Sequence, residues 1–133
     1  MIPFQTWLSQ MVGYCQFVAD TLGVRRAWVK GDYSRTSVTN FDELYEQFFD
    51  DLDSDALELE LNTYMQNEPE ARDVLTAFLQ QIRVINAQRQ HDPRLSSMVD
   101  LLDSKDWGRL IEIARCVTHR SPFPGLSKKE AGG

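Results

Sequence analysis

The sequence predicts a mainly α-helical fold, a compact bundle or orthogonal array of five to six helices with one short β-hairpin near residues 27–36. Three observations predict it. Apolar residues recur at spacings of three and four over most of the chain, the period of a helix with one buried face. Residues that start and stop helices punctuate that period, among them Asn40, Pro69 and Pro93. In RRAWVKGDYSRTSV the period shortens toward alternation around Gly31-Asp32, a dipeptide suited to a two-residue hairpin turn.

The first helix is expected over residues 4–22, where Phe4, Trp7, Leu8, Met11, Val12, Cys15, Val18 and Leu22 share a face and Gly23 closes it. The hairpin would pair Ala27–Lys30 with Tyr33–Thr36 and lean on the helices, since an isolated hairpin is marginal in water. Asn40 and Glu43 form a capping box that starts a helix from Phe41 to about Leu52, with Phe41, Leu44, Tyr45, Phe48 and Phe49 inward. Another begins near Asp55, with Asp55 and Glu58 in its first turn and Leu57, Leu61 and Met65 along one side, joined by Leu59 and Tyr64. The alternation Leu57-Glu58-Leu59-Glu60-Leu61 also fits a strand, but the flanking spacing favours the helix. Pro69 opens the longest helix, from about Glu70 to Gln88, whose face is Val74, Leu75, Phe78, Leu79, Ile82 and Ile85. A short helix with Leu95, Met98, Val99 and Leu102 follows, then a last one from Lys105 to His119 that carries Trp107, Leu110, Ile111, Ala114 and Val117. Residues 1–120 form a single globular domain on this reading, and 121–133, SPFPGLSKKEAGG, a disordered tail.

With 133 residues the chain is long enough for one core that needs no staples. Cys15 and Cys116, its only cysteines, both fall in apolar helical patterns and read as buried free thiols. The N-terminal stretch carries no basic leader, and no apolar run approaches the roughly 18 residues a membrane span needs. A cytoplasmic protein with no membrane partner is expected, and the oligomeric state is left open.

Net charge is −6, unevenly spread. Between Thr36 and Ala71 lie eleven Asp or Glu and no Lys or Arg, so the remainder, with nine acids and fourteen bases, is positive by five. The densest part is DDLDSDALELEL, residues 50–61. Asp51, Asp53 and Asp55 match the first, third and fifth ligands of an EF-hand loop. Ala56 stands where that loop needs its glycine, and Asn62 where it needs a bidentate glutamate, so no metal site is expected.

Catalytic templates fit no better. Acid–base chemistry needs two carboxylates in unlike surroundings, and these acids lie off the apolar face, hydrated alike. Neither histidine has a partner at metal spacing. His91 and His119 sit near helix ends, where imidazolium complements the dipole. With no phosphate-binding loop and no activated nucleophile, neither an enzyme nor a cofactor is expected.

Two binding readings remain beside that of a merely solvated charge run. Asp42, Glu46, Asp50, Asp51, Asp53, Asp55 and Glu58, with Tyr45 and Phe49 as aromatic anchors, could present carboxylates to a basic protein where phosphates would otherwise sit. Alternatively Arg25, Arg26, Trp28, Lys30 and Tyr33 could form a regulatory or adaptor surface that touches nucleic acid or another protein. Nucleic acid is the less favoured partner, because the acidic block and an isoelectric point near 4.8 repel phosphate.

The run Phe41-Asp42-Glu43-Leu44-Tyr45-Glu46-Gln47-Phe48-Phe49-Asp50, then acids, then Tyr64-Met65-Gln66-Asn67-Glu68-Pro69-Glu70-Ala71 before a long apolar helix, resembles helical immunity proteins of contact-dependent growth inhibition systems. The likeness covers about residues 41–85, and Asp50-Asp51-Leu52-Asp53 replaces the aromatic and histidine-containing turn associated with that family. It implies a cytoplasmic bacterial antidote, not an enzyme, that binds and blocks a cognate toxin, often a nuclease.

Overall fold

The computed structural model describes residues 3–120, so the tail expected at 121–133 lies outside the described residues. Those residues form eight α-helices, one π-helical turn and one 3-10 turn: α1 (Phe4–Ala19), α2 (Thr21–Trp28), α3 (Phe41–Glu46), the π turn (Gln47–Asp51), α4 (Ser54–Leu59), α5 (Leu61–Tyr64), α6 (Pro69–His91), the 3-10 turn (Pro93–Ser96), α7 (Met98–Leu102) and α8 (Lys105–Arg120). The mainly helical expectation is met, but the α-helices number eight because α2 stands where the hairpin was expected and the helix expected from Asp55 is parted at Glu60. α8 packs against both α1 and α6, and the shorter segments close over this three-helix centre.

α1 buries Phe4, Trp7, Leu8, Met11, Val12, Cys15 and Val18, as the spacing predicts. It stops at Ala19, short of Leu22, which is exposed. Asp20 is the cause: its carboxylate accepts from the Gly23 N–H (3.1 Å) and starts a new helix. Gly23 therefore belongs to the first turn of α2, where a Cβ would collide with the Asp20 carboxylate.

The expected hairpin at residues 27–36 is absent; there is no strand among the described residues. Val24, Ala27 and Trp28 are spaced to lie on one helical face, and burying all three favours continuing α2 over an exposed ribbon. Gly31 does take a left-handed conformation (φ 74°), but it ends a helix rather than turning a hairpin. It brings the Asp32 N–H back to the Arg26 carbonyl at 3.0 Å. Trp28 donates from Nε1 to the Val38 carbonyl (2.9 Å) and lies 5.2 Å from the Trp107 ring, which anchors the following loop.

Asn40 caps α3 through the Glu43 N–H at 2.8 Å. The single helix predicted to Leu52 instead widens at Gln47, and the Leu52 N–H reaches the Gln47 carbonyl five residues back (3.1 Å). Phe48, Phe49 and Leu52 are all buried, and the wide turn is the local change that accompanies this. Asp53 then adopts the left-handed conformation (φ 55°, ψ 45°) immediately before α4. Ser54, the buried polar residue among those described, accepts from Trp7 Nε1 (3.1 Å) and donates to the Phe48 carbonyl.

α4 and α5 replace one predicted helix, parted at Glu60, yet Leu57, Leu61 and Met65 are buried as expected. The Leu57–Leu61 stretch is helical rather than a strand, with Leu59 outward. α6 follows its forecast closely and buries Ala71, Leu75, Phe78, Leu79, Ile82 and Ile85. Trp107, Leu110, Ile113, Ala114 and Val117 of α8 complete the core. No helix among the described residues is long and apolar enough to cross a membrane.

Ser54→Ala leaves the Trp7 N–H and the Phe48 carbonyl without their buried partner, and should cost about 1–3 kcal/mol in urea unfolding. A loss much under that range would mean the hydroxyl is not a structural link. The thiols should also differ, because Cys15 is buried and its pKa is pushed well up by burial, whereas Cys116 is exposed, contrary to its apolar pattern. A thiol reagent at mildly alkaline pH should titrate Cys116 in the native protein and reach Cys15 only after unfolding.

Candidate functional site

The acidic segment divides into neutralised and unneutralised parts. Arg83 of α6 binds Glu58 (2.8 and 3.1 Å) and Asp55 on α4, with its guanidinium 5.0 Å from the Phe49 ring centre. Those two carboxylates hold the guanidinium pKa above its ordinary value, against the opposing effect of burial. Arg89, also on α6, binds Asp42 of α3, donates to the Leu95 carbonyl (3.1 Å) and stands 5.1 Å from the Phe41 ring centre. Arg120 reaches Glu70 at 3.1 Å. Asp42, Asp55 and Glu58 are thus held by α6, and their charges are spent on joining helices.

Glu46, Asp50, Asp51 and Asp53 are exposed and have no salt bridge among the described residues. All four lie at or beside the π turn, in the stretch from Glu46 to the left-handed Asp53 that forms the acidic corner. Their backbone is fixed by buried neighbours on either side, Phe48, Phe49, Leu52 and Ser54. Among the described residues no three or more His, Cys, Asp or Glu are grouped to hold a metal ion.

The aromatic anchors expected beside these acids fare differently. Phe49 is core, packed on Phe48 and Tyr45, because the π turn rotates both phenylalanines inward. Tyr45 is half-buried. Tyr64 is exposed along one face and stacks on Phe4 with ring centres 4.3 Å apart.

Tyr14 is a contributor that the sequence reading missed. It lies on the flank of the α1 stripe, one residue before Cys15, and only a spacing of three from Met11 hinted at its place. Its hydroxyl donates to Gln47 Oε1 (3.0 Å), and Gln47 Nε2 donates to the Ser37 carbonyl (3.3 Å). Gln47, the first residue of the π turn, therefore ties the acidic corner both to α1 and to the loop before α3. Burial, and secondarily the Asp51 charge, hold the Tyr14 pKa above its ordinary value.

The basic set also divides. Arg25 pairs with Asp103 after α7, and Trp28 is core. Arg26, Lys30 and Arg35 are exposed without a salt bridge among the described residues, and Tyr33 is half exposed. Asp32 lies between them, its pKa lowered chiefly by hydrogen bonds from the Ser34 hydroxyl (2.7 Å) and N–H (3.1 Å). Between this loop and α1 runs an open groove of about 350 Å³, lined by Gln10, Gly13, Tyr14, Phe17, Arg35, Thr36 and Val38. His91 and His119 occupy the last turns of α6 and α8, away from any such grouping.

Tyr14 supplies an optical reporter of the acidic corner. Its pKa is raised, so its stabilising effect is complete below the ordinary tyrosine value and fades as pH climbs through the folded one. In an alkaline titration at the phenolate absorbance, with Tyr14→Phe as the subtracted reference, Asp51→Asn should move the Tyr14 transition to lower pH. No movement would place Asp51 too far away to act on the phenol.

Comparisons with protein-family models, with curated proteins and with solved structures find no match to this chain.

Proposed function

We propose that the protein is a non-enzymatic binder of a basic protein, which it engages through the corner formed by Glu46, Asp50, Asp51 and Asp53. One observation carries this reading. The neighbouring acids Asp42, Asp55 and Glu58 are neutralised by Arg89 and Arg83, while these four stay exposed and uncompensated among the described residues. Exposed carboxylates with no cation beside them attract an approaching cationic surface. Such a surface gains fast, salt-sensitive association and discrimination among partners. Asp42, Asp55 and Glu58 then position the corner rather than touch the partner first. Tyr45 is the aromatic at its margin.

The sharper form of the proposal is an immunity protein of the bacterial cytoplasm that blocks a cognate nuclease-type toxin. It rests on the resemblance of residues 41–85 to such antidotes, and on carboxylates serving as mimics of the phosphates a nuclease grips.

A second reading keeps the exposed cations Arg26, Lys30 and Arg35 with Tyr33 as an adaptor surface for nucleic acid or another protein. Burial of Trp28 removes its best stacking side chain, and Arg25 is taken by Asp103.

The experiment is affinity capture from the native host's lysate at low salt, with stepwise salt elution and mass spectrometry. A basic protein held by the wild type and lost from the Glu46→Lys, Asp50→Lys, Asp51→Lys, Asp53→Lys variant is expected. Addition of wild-type protein should then suppress that partner's nuclease activity. Retention by this variant, with loss on reversing Arg26 and Lys30 to Glu, would transfer the function to the basic loop. Arg83→Met should act differently from the charge reversals. It should lower unfolding stability by about 1–3 kcal/mol through lost charge-assisted hydrogen bonds, yet leave the partner bound.

A further inference from the structure

The last two long helices are tied together at two points, and the surface between the ties is open. Near the start of α8 the Asp106 carbonyl accepts from Gln81 Nε2 of α6 (2.9 Å). At its end Arg120 binds Glu70, in the first turn of α6, at 3.1 Å. The two helices therefore run antiparallel, and the end of α8 stands over the start of α6. Between the ties lies a groove of about 310 Å³. Val74 and Ala77 of α6 and Ile113 and Cys116 of α8 form its apolar length, with Arg109 toward the Asp106 end and Asp73 toward the Arg120 end. Val74 and Ala77 are half-buried and Cys116 is exposed, so apolar wall is left facing water.

The chain itself supplies an occupant of the right size and starting point. SPFPGLSKKEAGG follows Arg120 directly, at one end of the groove, and holds two large apolar residues, Phe123 and Leu126. Pro122 and Pro124 oppose continuation of α8. The reach is sufficient. An extended chain covers about 3.3 Å per residue, so Phe123 can lie about 10 Å from Arg120 and Leu126 about 20 Å. At about 1.5 Å per helical residue, Cys116 is about 6 Å back along α8, Ile113 about 10 Å and Arg109 about 16 Å. The groove is also at the lower bound for sites that enclose a small molecule, which suits a pair of side chains. We propose that residues 121–126 fold back along α8 and dock in this groove, Phe123 against Val74 and Cys116, Leu126 against Ala77 and Ile113. The segment is tethered at the groove's end, so its effective concentration there is high and independent of the protein's own. Nothing in this contact involves the acidic corner, and it stands or falls separately from the binding of a basic partner.

The rate at which iodoacetamide alkylates Cys116 in the full chain tests it. Cys15 is buried and stays unmodified while the protein is folded, so the signal belongs to Cys116. The reagent is neutral, which keeps the comparison free of the charges of Lys128 and Lys129. A docked segment still opens locally, so native Cys116 reacts, but slowly. The Phe123→Ser, Leu126→Ser variant should react at least about fivefold faster. Val74→Ser should produce the same acceleration from the groove side. All three substitutions together should go no further, because a segment already released cannot be released again. Far-UV circular dichroism and an unreacted Cys15 check that each variant is folded. In the wild type, nuclear Overhauser contacts from the Phe123 ring to the Val74 or Ile113 methyls are expected, and rates should not change over about a hundredfold dilution. Equal rates in the wild type and the Phe123→Ser, Leu126→Ser variant overturn the proposal. So does protection that fades on dilution, which would give the groove to a second copy. Protection lost after unfolding, dialysis and refolding overturns it too, and would give the groove to a small apolar ligand.

Discussion

One buried hydroxyl connects the parts of this fold that carry the acidic corner. Ser54 receives the indole N–H of Trp7 and donates to the Phe48 carbonyl, so it joins the first helix, the π turn and the start of α4. All three partners are withdrawn from water, where an unanswered polar group is costly and an answered one is directional. A purely apolar contact at this point would let the turn slide over α1. The hydroxyl sets its height and rotation, and with them the direction in which Asp50, Asp51 and Asp53 leave the surface.

Around that anchor the charges sort themselves by use. α6 is the counterweight: Arg83 and Arg89 project from its surface to bind acids of α4 and α3, and both guanidiniums lie near aromatic rings. These pairs span long sequence separations, so they hold the acidic segment against the core instead of decorating a single helix. Within the segment, Asp42, Asp55 and Glu58 thus cement tertiary structure, while Glu46, Asp50, Asp51 and Asp53 face solvent with no salt bridge among the described residues.

Much of the helical frame was legible because burial repeats with helical period. The stripes of α1, α6 and α8 were visible, as were Asn40 as a cap and Pro69 as a first-turn residue. Most of the failures concern where a helix bends rather than whether it exists; α2, in place of the hairpin, is the exception. Gly23 looked like a stop but makes room for the Asp20 carboxylate, and Gly31-Asp32 ends a helix instead of turning a hairpin. The π turn was invisible because one extra residue per turn leaves the local apolar spacing nearly unchanged. At the candidate site, the acids were apparent from composition alone. Which of them are neutralised was not, because Arg83 lies 28 and 25 positions from Asp55 and Glu58. The same distance problem concealed Tyr14, whose partner Gln47 is 33 residues away.

The π turn separates the residues that build the corner from the residues that display it. Phe48, Phe49, Leu52 and Ser54 hold the backbone from the inside, while the side chains of Glu46, Asp50 and Asp51 contribute no hydrogen bond or ion pair that the described residues need. Asp53 is constrained only by its left-handed backbone, a conformation that Asn or Gly can also supply. Substitution at Glu46, Asp50 and Asp51 can therefore change the outward chemistry of this corner residue by residue while the scaffold beneath retains its stability.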